Sequence, residues 1–281
     1  MFALPVLLSS NFEENEFDFH RGNSGGAVEV INSWIAEKTN NKIPKLISQN
    51  DVNRHTELIL LNAVYFKGDW LKKFDADSTT SQVFHISPTE SVKVHMMHMT
   101  QGKFLYGVNS ELHCQAVELP YAGENLSMFV LLPDQALTSV FEVEKKLTAN
   151  DLQNVKEKFH MSSQKVDLWL PRFSLDEKLS LAEMLAKMGM SDLFTDGAAD
   201  LSGIDGSRKL YVSKVVHRAV VEVNEKGTEA AAATAVIMTF RSLPIHEKEI
   251  FRADHPFLFF IQDKATGSIL FLGRLVKPPA V

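Results

Sequence analysis

The chain has 281 residues, 45% of them hydrophobic and 23% charged, a composition that fits one soluble globular domain or at most two. Its formal net charge of -6 lacks the basic excess of a nucleic-acid binder, and no apolar run approaches the roughly 18 residues needed to cross a bilayer. A single cysteine, Cys114, excludes an internal disulfide, so the fold rests on its core.

In chain order, Phe2 to Leu8 is a short apolar run without the basic start and small-residue cleavage site of a secretion signal. Gly22-Asn23-Ser24-Gly25-Gly26 matches the G-x-S-x-G hydrolase pattern. However, no strand precedes it, and too little chain precedes Ser24 for a His, Asp, Ser order, so it reads as the start of a helix. That helix spans Ala27 to Thr39, with Ala27, Val30, Ile31, Trp34 and Ile35 on one face. Leu58 to Phe66 is a continuous apolar run, expected as a strand buried on both faces in the middle of a sheet. A strand over Val92 to Met99 carries His95, Met97 and Met99 on one face and His98 on the other, an alternation that argues against a copper site.

Gln115 to Leu119 and Ser127 to Leu132 are the next strands; Cys114 is expected as an inert buried thiol. Asn125-Leu126-Ser127 fits a glycosylation acceptor but reads equally as a turn. Thr148 to Asp151 opens a helix as a capping box with aspartate in place of glutamate. Val166 to Leu170 is a strand. Leu181, Met184, Leu185 and Met188 form the stripe of a third helix, which Gly189 closes. A strand over Leu210 to Val223 then runs into Val221 to Thr234, VEVNEKGTEAAAAT, whose second half offers nothing bulky to anchor in a core and no proline to oppose strand formation. Arg241-Ser242 follows, a bond that a protease with an acidic specificity pocket accepts. Phe257 to Ile261 and Ile269 to Leu275 form a hairpin through Asp263-Lys264-Ala265-Thr266-Gly267. Strands outnumber helices, so the expected class is α+β with mainly antiparallel sheets and peripheral helices.

From Ala27 to Val281 the chain resembles the serpins, inhibitors of serine proteases. The resemblance is carried by INSWIAEKTNNKI (31 to 43), LNAVYFKGDW (61 to 70), HCQAVELPYAGENLSMFVLLPD (113 to 134), VDLWLPRFSL (166 to 175), the 221 to 234 tract and FRADHPFLFFI (251 to 261). It implies a single serpin-like domain over 1–281, with 1–26 unmatched or a remnant and 225–250 forming a hinge and reactive centre loop. Serpins place several helices and strands ahead of the Ala27 helix, so the expectation is an N-terminally shortened serpin, an incomplete gene product or alternative transcript. The lost helices would leave apolar surface at the rear of the central sheet.

The same resemblance implies a suicide-substrate inhibitor rather than an enzyme, with no catalytic residue, metal or cofactor of its own and no indicated heparin-type site. The seventeenth residue counted from Glu225 inclusive is Arg241, which makes Arg241-Ser242 the expected scissile bond and a trypsin-like protease the partner. Cleavage after Phe240 is the alternative, favouring chymotrypsin-like enzymes. The hinge is Glu225, Gly227, Thr228, Ala230, Ala232 and Thr234; in an inserted strand the last four would face the core, and all are small. Asn62 and His217 match the polar pair where the sheet opens, Trp70 the tryptophan at the top of the opening, and Arg172 the partner of Glu225, the alternative for that pair being a solvated surface contact. Extracellular action is the family expectation and the cytoplasm the alternative. The competing function is a non-inhibitory binding protein on the same fold, or a chain too short to fold.

Overall fold

The computed structural model describes residues 24–53, 55–225 and 249–281. Its helices are α1 (Ser24–Lys38), α2 (Val140–Lys146), α3 (Ala149–Gln153), α4 (Val155–Lys158), α5 (Ala182–Leu185) and α6 (Ser202–Asp205). Its strands are β1 (Leu58–Phe66), β2 (Thr80–His85), β3 (Ser91–Asn109), β4 (Cys114–Pro120), β5 (Leu126–Pro133), β6 (Ser162–Pro171), β7 (Phe173–Ser180), β8 (Val212–Val223), β9 (Glu249–Arg252), β10 (Phe257–Asp263) and β11 (Ile269–Leu275). They form an α+β fold in which β6–β9 and β1–β8 pair in parallel and the other registered pairs are antiparallel. Among the described residues no helix is long and apolar enough to cross a membrane.

The chain divides into two compact units, the first made of the described residues in 67–174 and 222–281 and the second of those in 24–66 and 175–221. The first unit is built on an eight-stranded sheet in the order β11-β10-β5-β4-β3-β6-β9, with β2 paired to β3. Its middle strands are apolar without alternation because both faces are covered. On one face the short helices α2, α3 and α4 supply Val140, Val143, Leu152 and Val155, which pack on Phe129, Leu131, Leu258 and Phe260. Cys114 belongs to this cluster, and burial pushes its thiol well above the ordinary range. The capping box at Thr148 is present, Thr148 N–H donating to Asp151 at 3.0 Å and Asp151 N–H to Thr148 at 3.1 Å.

The strand expected over Val92 to Met99 continues to Asn109. Gln101 takes a left-handed φ of 50° and donates its N–H to the buried Asp167 carboxylate at 2.7 Å, so the segment is crossed as a bulge without ending the strand. A Cβ at residue 102 would lie 2.2 Å from the Phe104 ring, so a larger residue there would displace that ring.

In the second unit α1 covers one face of β1 and β8, with Val28 and Ile35 packed on Val216 and Val220 and joined by Ile59, Leu61, Ala63 and Tyr65. Val30, expected on that face, is 52% exposed; Val28 takes the position because the buried stripe runs 28, 31, 35. Asn32 ties the helix to the following segment, accepting from the N–H groups of Leu46 and Ile47 and donating to Ile47 O. The expectation that β1 is central and buried on both faces fails. Among the described residues it stands at the edge of the sheet β1-β8-β7, and the face away from α1 carries the exposed Leu60 and half-buried Asn62, Val64 and Phe66. An unbroken apolar run reports hydrophobic content and cannot distinguish a covered face from an open one. The third predicted helix is also shorter: α5 passes into a wide turn in which Gly189 adopts φ 104°, and Met188 is 76% exposed.

Candidate functional site

Gly227, Thr228, Ala230, Ala232, Thr234, Phe240, Arg241 and Ser242 lie outside the described residues. What is described is the frame from which that segment leaves, at Glu225, and to which it returns, at Glu249.

Glu225 is buried, 5% exposed. Arg172 Nη2 donates to its Oε1 at 2.5 Å and Thr79 Oγ1 donates to the same oxygen at 2.7 Å, while Phe74 N–H donates to the Glu225 carbonyl at 3.2 Å. Burial pushes the Glu225 carboxyl upward, but the hydrogen bonds from Arg172 and Thr79 and the guanidinium charge outweigh it and hold the group below its ordinary value of 4.5. The carboxylate side of the pair is thus buried, while the Arg172 side chain is 44% exposed. Thr79 and Phe74 carried no sequence signal for this contact, since Thr79 lies far from Glu225 along the chain and in no motif.

One residue earlier, Asn224 O accepts from Trp70 Nε1 at 2.8 Å. Trp70 is 3% exposed, stacks on Tyr121 at 4.6 Å and meets Phe74 edge-on at 6.3 Å. The last two residues before the undescribed segment are thus held by Trp70, Phe74, Thr79 and Arg172.

The lowered Glu225 carboxyl makes a pH prediction. Because its folded value lies below its unfolded value, its stabilisation is fully present above about pH 4.5 and is lost as the pH falls through the folded value. Arg172→Ala should be destabilising at pH 7, with the gap to wild type narrowing as the pH falls below about 4.5. Urea midpoints measured across that range check this, and parallel curves for the two proteins would show that the pair contributes no linkage.

In the second unit Asn62 and His217 are register partners across the parallel β1–β8 ladder, with Nδ1 of His217 2.9 Å from Asn62 Oδ1. His217 is 1% exposed, and its buried Nε2 has no hydrogen-bond partner among the described residues. Burial lowers its pKa, so the neutral ring, donating from Nδ1 to Asn62, is the folded form.

The other readings resolve locally. Ser24 is the first residue of α1. His95 is exposed while Met97 and Met99 are buried, and His98 lies flat on Trp169 at 4.2 Å, its own ring contact accounting for its position.

The profile described as Serpin (serine protease inhibitor) matches residues 8–278, which takes in part of the 1–26 segment that the motifs left unmatched. The leukocyte elastase inhibitor of Homo sapiens is 45% identical over 258 residues, 91% of this chain and 67% of that protein. The Xenopus laevis protein of the same name is 42% identical over 282 residues, 98% and 73% of the two chains. Among solved structures, uncleaved ovalbumin superposes with a TM-score of 0.81 at 34% identity, covering 93% of this chain and 65% of that one. A structure titled as a tumour suppressing serpin gives 0.79 at 28% identity, covering 93% and 67%. The chain spans about two thirds of the length of these relatives. With the matched profile, the similar relatives and the shared fold in agreement, this chain belongs to the serpin family.

Proposed function

We propose that this chain inhibits serine proteases as a suicide substrate, its 226–248 segment serving as the bait and then inserting as a strand. The observation that supports this most is topological. β8 runs directly to the anchor at Glu225, and β1 lies parallel beside it over nine registered positions. A segment that turns back after Glu225 runs antiparallel to β8 and, because β1 is parallel to β8, antiparallel to β1 as well. Inserted between them, it replaces one parallel pairing by two antiparallel ones, the slightly more stable kind. The sixteen steps from Glu225 to Arg241 reach about 50 Å as extended strand, enough to carry an attached protease across a small domain. The chemistry belongs to the protease, whose serine attacks the bait carbonyl; the inhibitor supplies the loop and the sheet.

For specificity, Arg241 favours an enzyme with an acidic pocket, whereas the relatives are named for elastase, whose pocket is small. A panel of trypsin, chymotrypsin and elastase on a denaturing gel, with mass spectrometry of the released C-terminal peptide, separates these. The expected result is a denaturant-resistant complex with trypsin and a peptide beginning at Ser242. Arg241→Ala should slow trypsin by about a hundredfold or more, since it removes one partner of a buried charge pair, and should favour elastase instead. Retained trypsin inhibition in that variant would move the bond elsewhere.

A further inference from the structure

We propose that the apolar pocket beneath Trp70 binds small amphipathic anions, a slim apolar tail on a carboxylate, and that an occupant holds the base of the 226–248 segment in place. The pocket has a volume of about 60 Å³ and is lined by Trp70, Phe74, Met99 and Phe104, with Lys72 and Lys103 also on its wall. That is well below the roughly 150 Å³ of a cavity that takes benzene, so the pocket admits only the last few methylene groups of an alkyl chain, the rest of the chain lying outside it toward Lys72 and Lys103. The aromatic and aliphatic walls offer water few partners, and the indole Nε1 of the lining Trp70 is already committed to Asn224 O.

Lys72 and Lys103 are exposed, and among the described residues neither makes an ion pair. Two cations with no ion pair among the described residues, beside an apolar slot, favour an anion with its tail inward. The coupling follows from the two aromatic walls. Trp70 donates its indole N–H to Asn224 O and Phe74 its backbone N–H to Glu225 O, so a tail in the pocket packs on both groups that hold the segment's base. A ligand that binds only while Trp70 and Phe74 are in place stabilises the state in which Asn224 and Glu225 are held. The consequence for inhibition rests on the function proposed above; the binding itself does not.

The experiment is calorimetric titration of the whole chain with sodium octanoate and, separately, 1-octanol, in wild type, in Lys72→Gln/Lys103→Gln and in the pocket-filling Leu119→Phe. Octanoate is expected to bind wild type about fivefold more tightly than octanol, the difference being lost in the double lysine variant, and both probes should be lost in Leu119→Phe. Saturating octanoate should also shift trypsin encounters from complex toward cleaved product. Absence of octanoate binding at millimolar concentration, or binding indifferent to both variants, overturns the site. Should no protease form a complex even without octanoate, the functional reading fails while the calorimetry still decides the pocket.

Discussion

Thr228→Arg is expected to convert the chain from inhibitor to substrate, with the denaturant-resistant complex lost and cleavage at the same bond retained. In an inserted strand Thr228, Ala230, Ala232 and Thr234 share the face turned toward the core, and each is small. An arginine at the first of these must be stripped of water without a partner, a cost of several kcal/mol that arises only on insertion and not during cleavage. Glu229→Arg is the control: one residue on, its side chain faces the opposite way and inhibition should persist. The stoichiometry of inhibition, with gel quantification of complex and cleaved chain, measures both. Undiminished complex formation by Thr228→Arg would remove strand insertion from the mechanism.

The largest effect on stability is expected from Phe260→Ala. Phe260 is fully buried on β10, is paired in register with Phe129 on β5 and stacks on that ring at 4.8 Å with an interplanar angle of 10°. Lys156 lies over the Phe129 ring at 5.7 Å, and the helices α2 to α4 close the cluster from one side. Central strands held on both edges do not collapse readily into a void, so the loss should be about 3–5 kcal/mol, a large share of the roughly 5–15 kcal/mol that stabilises a domain. Leu137→Ala, at a position 62% exposed, should change stability by less than about 0.5 kcal/mol. Urea unfolding followed by circular dichroism compares the two, and similar midpoints would mean that this cluster is not the core of the first unit.

Much of the fold was legible along the chain. The hairpin of β10 and β11 was read from apolar runs flanking Asp263 to Gly267, and Gly267 does adopt the left-handed φ of 71° that such a turn requires. Capping chemistry located the start of α3 at Thr148. By contrast β2, β7 and β9 were missed, since six, eight and four residues with mixed polarity give no usable alternation. The helix α2 was missed too, although Ser139 accepts from Glu142 N–H as its cap, a pattern present in the sequence.

The sequence alone determined what depends on neighbours within a turn or a strand: the apolar periods, the caps and the order of family motifs. The tertiary structure decided what depends on register and topology. Arg172, Thr79 and Glu225 converge because strands and loops distant in sequence end at one place. Asn62 meets His217 because β1 and β8 pair in parallel at one register, which a shift of one residue would undo by turning the side chains to opposite faces. The edge position of β1 and the pocket beneath Trp70 arise likewise from which segments lie beside them, and periodicity along a single segment carries no information about its neighbours.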